Sequence, residues 1–338
     1  MYTIIVTGAC GFLGSNLCRR LLRDGHKIVG IDNLSCGFLS NIDDFIDHEN
    51  FSFIKKDVRY LNVTDILLLN KTEQFLPIDY VYHLAALGEL AFVRENPKEA
   101  VDVNVNGTLQ VLEVSQALSC RHFIFTDTSA EYDALPVNDF YYPTHEDSIE
   151  YKYLPIGMYA ITKLAASQFV RSFCKENNML STLVRPFNVY GPSMNLKRDI
   201  PPVIGSFAYK MLQSKSPVIY GDGHKKRDFI YVDDMIDFFV QIMETEEQFV
   251  YVQSRTLNAG TGNNYSIKEI YGLVSECIFG KDQTLWLEPV YVEEQSGEAE
   301  ITLANISAAY YWLKWKPKVS IQEGIKKTVD SIRKELEN

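Results

Sequence analysis

Tyr159 and Lys163 lie four residues apart in a segment whose pattern predicts a helix, so both side chains project from one face. A lysine cation beside a phenol favours the phenolate and lowers a phenol pKa of about 10 toward neutral pH. The pair could therefore remove a proton from a substrate hydroxyl. Because the chain has twenty tyrosines, the same spacing can also arise by chance, with Lys163 in solvent on a surface helix.

Glycines spaced three and three form a second candidate site, in Thr7-Gly8-Ala9-Cys10-Gly11-Phe12-Leu13-Gly14. The run lies between an apolar strand pattern and an amphipathic one, where glycines allow a tight turn and a helix N-terminus can bind a pyrophosphate. The next predicted strand ends in Asp32, whose carboxylate can accept hydrogen bonds from an adenosine ribose and would repel a 2′-phosphate. These features predict NAD rather than NADP, although glycines also serve turns that bind nothing.

The elements that must position these residues alternate between short β-branched runs and amphipathic segments in the first half of the chain. This pattern is typical of βαβ units and a parallel sheet. The predicted strands are Tyr2–Thr7, Lys27–Asp32, Phe51–Lys55, Tyr80–His83, His122–Thr126 and Ser181–Arg185. The predicted helices are Phe12–Arg23, Val63–Leu69, Pro97–Leu118 and Met158–Asn177.

Prolines after Arg185 indicate a change to shorter elements and a second module, with a helix predicted at Val203–Gln213. A strand at Phe229–Val232 and a helix at Met235–Thr245 are expected to return to the main sheet. The fold class is therefore α/β, a Rossmann-type doubly wound parallel sheet with a smaller C-terminal α/β substrate-binding domain. We assign 1–185, with 228–258 returning to it, to the larger domain and 186–227 with 259–338 to the smaller one. Elements at Ser266–Phe279, Leu287–Val292 and Ile321–Leu336 are assigned to the smaller domain.

Composition excludes several other classes of protein. The chain has 338 residues, 46% of them hydrophobic, and 33 basic against 44 acidic residues give a net charge of -11, which disfavours a nucleic-acid partner. Six widely spaced cysteines match neither a zinc site nor a disulfide framework, so we expect no metal and a cytoplasmic protein. No apolar stretch approaches the roughly 20 residues of a membrane span, so we expect no membrane partner.

Further motifs extend over nearly the whole chain: Asp32-Asn33, Lys56-Asp57-Val58, His83-Leu84-Ala85-Ala86, Asn104-Val105-Asn106-Gly107-Thr108, Arg185-Pro186-Phe187-Asn188-Val189-Tyr190-Gly191-Pro192 and Arg227-Asp228-Phe229-Ile230-Tyr231-Val232-Asp233-Asp234. With the glycine loop and the Tyr-Lys pair, they make the chain resemble the extended short-chain dehydrogenase/reductases. The resemblance is to the nucleotide-sugar epimerase/dehydratase branch, typified by UDP-galactose 4-epimerase. It implies a substrate such as a UDP-, GDP-, CDP- or dTDP-hexose, and a homodimer paired through helices 97–118 and 158–177.

The resemblance also implies a role for each matched residue. Tyr159 would take a proton from a sugar hydroxyl while hydride passes from the same carbon, usually C4, to the nicotinamide; Lys163 would hold the nicotinamide ribose and Thr128 would share the hydrogen bond to O4. Residues expected to bind NAD are Gly8, Gly11, Phe12, Leu13, Gly14, Asp32, Asn33, Asp57, Val58, Leu84, Ala85, Ala86, Asn104, Tyr159, Lys163 and Pro186. Residues expected to bind the substrate are Thr128, Ser129, Asn188, Val203, Arg227, Gln295 and Glu298. Arg227 would meet the nucleotide phosphates, although a surface cation is the other interpretation.

Two departures from the family pattern bear on function. Gln295 stands where the family often has an arginine, which removes one positive charge from the nucleotide site. In the segment TDTSAEYDAL, counting from Tyr132 places Ser129 and Ala130 where dehydratases have two acids. Strand alternation predicts that the neighbouring Asp127 and Glu131 turn away from Thr128, whereas a one-residue slip would put Glu131 in the site.

We therefore expect an NAD-dependent nucleotide-sugar 4-epimerase. The alternatives are a dehydratase, decarboxylase or 4-dehydrogenase that shares the oxidation at C4, and an NAD-binding scaffold or sensor without catalysis.

Overall fold

The computed structural model describes residues 1–69, 77–138, 142–148, 154–198, 201–245, 254–294 and 299–337. Its strands are β1 Thr3–Thr7, β2 Lys27–Asp32, β3 Phe51–Lys55, β4 Tyr80–His83, β5 His122–Thr126, β6 Leu180–Pro186, β7 Asn188–Tyr190, β8 Val218–Tyr220, β9 Lys226–Arg227, β10 Phe229–Tyr231, β11 Arg255–Ala259, β12 Tyr265–Ser266 and β13 Val290–Val292. Its α-helices are α1 Phe12–Arg23, α2 Val63–Leu67, α3 Leu90–Glu95, α4 Pro97–Val101, α5 Gly107–Ala117, α6 Met158–Glu176, α7 Val203–Leu212, α8 Val232–Glu244, α9 Ile267–Phe279, α10 Ser307–Leu313 and α11 Ile321–Glu337.

A seven-stranded parallel sheet, ordered β11-β6-β5-β4-β1-β2-β3, forms the centre of the fold. Successive side chains of a strand point to opposite faces, and in β1 they enter two separate hydrophobic clusters. Ile4 and Val6 pack in the cluster that α1 and α8 cover, whereas Ile5 packs in the cluster that α5 and α6 cover. Both faces are therefore buried by helices, and this confirms the predicted doubly wound fold.

The chain order of the sheet reverses at β1, which lies between β4 and β2. In open α/β sheets, ligands bind in the crevice beyond the carboxyl ends of the strands at such a reversal. The segment that leaves β1 at this point is the glycine loop. The segment that leaves β4 is the loop that contains Leu84, Ala85 and Ala86.

One predicted strand pairing is wrong. The strand β10 does not join the main sheet; it pairs in parallel with β7, while β11 occupies the sheet edge beside β6. The short segment β10 follows directly on β9, and the polar sequence of β11 gave no strand signal. The helix α8 does cover the main sheet, where the Phe239 carbonyl accepts a 2.8 Å hydrogen bond from the Tyr82 hydroxyl. The domain boundaries stay a prediction.

The helix predicted over 97–118 forms as three consecutive pieces, α4, a π-helical segment Asp102–Asn106, and α5. The other three helices predicted in the first half form close to their predicted bounds. Within the described parts of the chain, no helix is long and apolar enough to cross a membrane.

Candidate active site

The glycine loop brings the backbone of β1 against the loop after β4. Gly8 has φ +71°, and a Cβ atom there would lie 2.9 Å from the Ala85 nitrogen. A Cβ on Gly14 would lie 2.0 Å from the Gly8 carbonyl oxygen, so the first turn of α1 packs directly on the loop. Phe12 and Leu13 begin α1 and are partly buried against the core. The glycines thus leave open a cradle between the loop and the N-terminus of α1, which larger side chains at these positions would fill. This cradle fits a dinucleotide pyrophosphate.

Asp32 ends β2 beside this cradle. Its carboxylate accepts hydrogen bonds from the Cys10 nitrogen at 3.0 Å and the Leu34 nitrogen at 2.7 Å, which fixes its orientation. Burial raises the pKa of this carboxyl, and the two backbone hydrogen bonds oppose that shift. A carboxylate oxygen has two lone pairs, so each oxygen can still accept a ribose hydroxyl.

Asp57 and Val58 lie at the turn after β3, on the adenine side of the predicted cofactor site. The Asp57 carboxylate accepts from Arg59 at 2.8 Å and from the Asn33 amide at 2.8 Å. The hydrogen bond from Arg59 lowers the pKa of Asp57 to about 2. Val58 is buried. The predicted contact of Asp57 with the adenine amine stays a prediction.

The loop after β4 is held by buried polar side chains. The Thr7 hydroxyl lies 2.7 Å from His83 Nδ1 and accepts from the Leu84 and Ala85 nitrogens at 3.2 Å. Asn104 accepts from the Leu87 nitrogen at 2.8 Å and donates to the Leu87 carbonyl and the Thr162 hydroxyl. Both Asn104 amide hydrogens are thus used inside the protein, so this residue positions the loop; direct contact with NAD stays a prediction. Leu84, Ala85 and Ala86 are half-buried along the predicted cofactor channel.

Tyr159 and Lys163 lie on α6, with Thr128 at the end of β5 opposite them. A hydrogen bond links Tyr159 to Thr128, whose hydroxyl also accepts from the Ala130 nitrogen at 3.2 Å. Burial raises the pKa of Tyr159 to about 12, and the hydrogen bond with Thr128 opposes that shift. Burial lowers the pKa of Lys163 to about 8, and its Nζ lies 4.0 Å from the centroid of the Phe125 ring.

The acids next to Thr128 turn away from this pair, toward Arg185 on β6. Arg185 Nε donates to Asp127 at 3.0 Å and Arg185 Nη2 donates to Glu131 at 2.6 Å. Arg185 Nη1 donates to the Tyr132 hydroxyl at 2.9 Å. All four side chains are buried. Both acids therefore bind Arg185, as the ungapped count expects; the catalytic role of Thr128 stays a prediction.

One predicted substrate residue, Ser129, lines a small recess next to Thr128 in the chain. Ser129, Phe187 and Ile301 line it, and Ile301 also lines a neighbouring cavity of about 400 Å³. Asn188 borders the recess through a 3.3 Å hydrogen bond to the Thr302 hydroxyl. The larger cavity is lined by Val137, Tyr220, Gly221, Asp222, His224, Lys225, Lys226, Glu294, Glu300 and Ile301.

The remaining predicted residues lie at the edges of this region. Arg227 follows Lys226 of the cavity wall and donates to the Lys226 carbonyl at 3.0 Å. Val203 begins α7, and Pro186 ends β6 opposite Ala259. Gln295 and Glu298 lie outside the described residues. Among the described residues, no group of three His, Cys, Asp or Glu side chains could hold a metal ion.

Arg185 is the site residue that the sequence interpretation missed, together with its pairing to both acids. A charged residue in an otherwise apolar strand sequence was the available signal, because buried arginines are rare unless they are paired. Asp127 and Glu131 were predicted to turn away from Thr128, but without a partner. Their roles follow from their contacts with Arg185.

A parallel sheet with a glycine cradle at its reversal point defines a dinucleotide-binding enzyme fold. Residues 4–260 match the model of the NAD dependent epimerase/dehydratase family, and the chain belongs to that family.

Two curated relatives and one solved structure illustrate the likeness. The chain is 30% identical to the UDP-glucose 4-epimerase of Mycolicibacterium smegmatis, over 97% of this chain and 98% of the relative. It is 28% identical to the UDP-glucuronic acid decarboxylase 1 of Xenopus tropicalis, over 99% of this chain and 73% of the relative. The UDP-glucuronic acid 4-epimerase of Bacillus cereus, solved with UDP-glucuronic acid and NAD, superposes with a TM-score of 0.82 at 27% identity, covering 98% of this chain and 99% of that one.

Proposed function

We propose that the chain is an NAD-dependent 4-epimerase of UDP-sugars. The observation that carries this proposal is the arrangement of Thr128 beside Tyr159, with both acids that neighbour Thr128 in the chain bound to Arg185. A phenol can remove the proton of a sugar hydroxyl, and a neighbouring hydroxyl can share the hydrogen bond to the same oxygen. Elimination of water needs a carboxyl group at the sugar as well, and Ser129 and Ala130 supply none.

The residues of this chain divide the chemistry among them. Tyr159 removes the proton of the sugar C4 hydroxyl, Thr128 shares the hydrogen bond to the same oxygen, and Lys163 binds the nicotinamide ribose. Gly8, Gly14 and Asp32 hold the pyrophosphate and the adenosine ribose. When bound, NAD supplies reversible oxidation at C4. Return of the proton and the electrons on the opposite side of the sugar gives the epimer, with no net oxidation.

The nucleotide part of the substrate would occupy the 400 Å³ cavity, which has the size of a small-molecule site. Lys226 in its wall, with the adjacent Arg227, would provide positive charge for the phosphates, whereas Lys225 pairs with Glu294 and Glu300. UDP is favoured over the other nucleotides because UDP-sugars are the named substrates of the relatives.

A decarboxylase is the second candidate, because relatives of that activity match 99% of this chain. It would share the oxidation at C4 and then lose carbon dioxide from a UDP-sugar acid. The ketone at C4 would itself accept the electron pair that carbon dioxide leaves behind, so analysis of the product distinguishes the two activities.

We also propose a homodimer and a cytoplasmic location. Apolar side chains remain exposed on adjoining helices, Val101 of α4 at 41% and both Ile161 and Phe169 of α6 at 42% and 45%. A second copy of the same surface would cover them. On the two predicted interface helices, Val105 and Leu112 are buried in the chain's own core and Leu109 and Leu164 are partly buried, which leaves Phe169 for the partner. All six cysteines are unpaired, which fits a reducing compartment.

Product analysis tests the activity directly. Purified protein should interconvert the C4 epimers of at least one of UDP-glucose, UDP-N-acetylglucosamine and UDP-glucuronic acid, as followed by NMR. Mass spectrometry should detect no loss of water or carbon dioxide, and reduced cofactor should not accumulate. Release of carbon dioxide from UDP-glucuronic acid would contradict the proposed epimerase activity and support the decarboxylase.

A further inference from the structure

His83, the last residue of β4, lies between two threonines in the interior of the protein. Its Nδ1 lies 2.7 Å from the Thr7 hydroxyl, and its Nε2 lies 2.9 Å from the Thr108 hydroxyl. All three side chains are buried. The protein itself therefore supplies a hydrogen-bond partner for each ring nitrogen.

The contacts of Thr108 determine which ring nitrogen carries a proton. The Thr108 hydroxyl donates to the Asn104 carbonyl at 2.7 Å, because a carbonyl oxygen can only accept. The single proton of this hydroxyl is thus used, and toward the ring the Thr108 oxygen can only accept. His83 Nε2 therefore carries a proton and donates it to Thr108.

The contacts of Thr7 determine the state of the other ring nitrogen. The Thr7 oxygen accepts from the Leu84 and Ala85 nitrogens, both at 3.2 Å, and these bonds use its two lone pairs. The Thr7 proton is left for His83 Nδ1, which therefore accepts and carries no proton. The ring is neutral. Burial, with the charge of Lys163 as a second cause, lowers the pKa of His83 to about 3 and acts in the same direction.

From Asn104 the hydrogen bonds continue to α6, the helix of the Tyr-Lys pair. Asn104 lies in the π-helical segment Asp102–Asn106, and its Nδ2 donates to the Thr162 hydroxyl at 3.1 Å. The Thr162 hydroxyl in turn donates to the Tyr159 carbonyl at 2.8 Å. The amide of Asn104 also binds both backbone groups of Leu87, in the loop after β4. A buried hydrogen-bond network in which every member is satisfied is rigid.

The two ends of this chain of hydrogen bonds lie at the predicted cofactor site. At one end, the Ala85 nitrogen that Thr7 holds is the atom nearest to a Cβ placed on Gly8, at 2.9 Å. This end therefore fixes the contact between the loop after β4 and the glycine loop. At the other end is the backbone of Tyr159, the proposed base.

A neutral ring also suits the surroundings of Lys163. The Phe125 ring lies between the two residues, with its centroid 6.0 Å from that of the His83 ring and 4.0 Å from Lys163 Nζ. A second cation at this depth would repel the ammonium. The neutral imidazole supplies its two hydrogen bonds without adding a charge.

We propose that His83, as a neutral imidazole protonated on Nε2, is a positioning residue that fixes the cofactor channel relative to Tyr159. It acts through Thr7 and Asn104, whose hydrogen bonds hold the loop after β4. The effect on turnover rests on the proposed function, whereas the tautomer and the effect on NAD binding do not.

NMR spectroscopy of the full chain labelled with ¹⁵N-histidine tests the tautomer. The His83 signal, identified by its loss in His83→Gln, should show a protonated Nε2 and an unprotonated Nδ1. This pattern should persist as the pH falls from about 7.5 to about 5, the range in which an ordinary histidine becomes charged. A ring that is protonated on Nδ1, or on both nitrogens at neutral pH, would overturn the assignment.

His83→Leu tests the positioning role, because it keeps an apolar side chain but removes both hydrogen bonds. NAD should bind about tenfold more weakly in calorimetry, since two hydrogen bonds that hold the channel are lost. The kcat should fall by about ten- to a hundredfold, as expected for a misplaced reacting group. The KM for the UDP-sugar should change little, because none of the residues that line the 400 Å³ cavity belongs to the chain of hydrogen bonds.

The matched control is His122→Leu. His122 is also a buried histidine with its Nε2 2.9 Å from a threonine hydroxyl, that of Thr182, but it begins β5 at the opposite end of the sheet from His83. This variant should lose stability and keep the NAD affinity and kcat of the wild type. Equal losses of NAD affinity in the two leucine variants would show that His83 has only a structural role, contrary to the proposal.

Thr108→Val reaches the same network by a second route if His83→Leu does not fold. It keeps the shape of the side chain and removes only the hydroxyl between His83 and Asn104, so NAD affinity should fall by about fivefold. Thr108→Ser keeps the hydroxyl and should stay near the wild type. Because both changes break the same link, the double variant His83→Leu/Thr108→Val should bind NAD no more weakly than His83→Leu alone. Additive losses would contradict a single chain of hydrogen bonds.

The outcomes for His83 and for the proposed function can be told apart. If the wild type turns over no UDP-sugar, the proposed activity fails, while the ¹⁵N spectra and the NAD affinities still decide the role of His83. If the wild type is active and His83→Leu binds NAD and turns over as the wild type does, the positioning role fails while the proposed function stands.

Discussion

Burial shifts the pKa values of Tyr159 and Lys163 in opposite directions, to about 12 and about 8. At neutral pH the cofactor-free chain therefore keeps a protonated phenol beside a protonated ammonium. The sequence interpretation expected the lysine to lower the phenol pKa, but in the structure burial raises it, and the hydrogen bond with Thr128 is the largest opposing cause. The phenol gains its hydrogen bond from Thr128 and becomes an efficient base once a further positive charge is bound nearby.

Tyr159→Phe should lower turnover by about a thousandfold, because general base catalysis contributes roughly 10²–10⁴ in rate. Binding of NAD should persist, as measured by calorimetry. Tyr190→Phe is the matched control, since it removes only a 3.4 Å hydrogen bond to the Ile321 carbonyl in the core. Full activity of the Tyr159 variant would refute the proposed base.

Glu131→Gln should change how stability depends on pH. Because the pKa of Glu131 is raised, the folded chain binds one more proton than the unfolded chain between the two pKa values. The free energy of unfolding then falls as pH rises through that interval, by at most about 1.4 kcal/mol per pH unit. The amide has no proton to lose and should remove this slope.

Urea unfolding at several pH values above the usual glutamate pKa measures that slope. The control is Glu113→Gln on the exposed face of α5, which should leave the slope as it is. An unchanged slope in the Glu131 variant would mean that the buried acid is ionised in the folded chain.

Among the elements, the glycine loop depends most strictly on residue type. Gly8→Ala places a Cβ 2.9 Å from the Ala85 nitrogen at a positive φ, so both strain and collision act. Gly25→Ala is its matched control, because Gly25 has φ +82° with nothing within 4 Å. We expect the control to cost about 1 kcal/mol in unfolding free energy, and Gly8→Ala to cost more and abolish NAD binding. Equal effects of the two changes would show that the contact with Ala85 is unimportant.

Elements with strong periodicity or compact apolar runs could be predicted from the sequence. β2, β3, β4, β5 and α1 have the predicted bounds. For β2, β4 and β5, burial on both faces selects continuous apolar strands. The strand Arg255–Ala259 could not be predicted, since three of its five residues are polar and only its pairing with β6 makes it a strand. The contacts of Arg185 could not be predicted either, because its partners are distant in sequence.

At the scale of the whole molecule, the exposed apolar surface on α4 and α6 predicts the assembly state. Ile161→Glu with Phe169→Glu should convert a dimer to a monomer in analytical ultracentrifugation, because two charges would be buried at the interface. The control is Leu68→Glu, which introduces the same charge directly after α2, where the Leu68 side chain is 79% exposed. This variant should leave the dimer intact. A wild type that sediments as a monomer at micromolar concentration would contradict the homodimer.

The edge strand β11 also constrains how the chain folds. It pairs with β6 across the intervening residues 187–254, and Asn258 accepts a 2.8 Å hydrogen bond from the Tyr132 hydroxyl. During synthesis, the first half of the chain leaves the ribosome long before its seventh strand is available. Until then the side of β6 that β11 will cover stays an unpaired strand edge, which is the kind of surface on which nascent chains associate wrongly. The cofactor-binding sheet is thus complete only after β11 has been synthesised, and most residues of the nucleotide-binding cavity precede β11 in the chain. The cofactor site and the nucleotide-binding cavity therefore form at the same stage of folding.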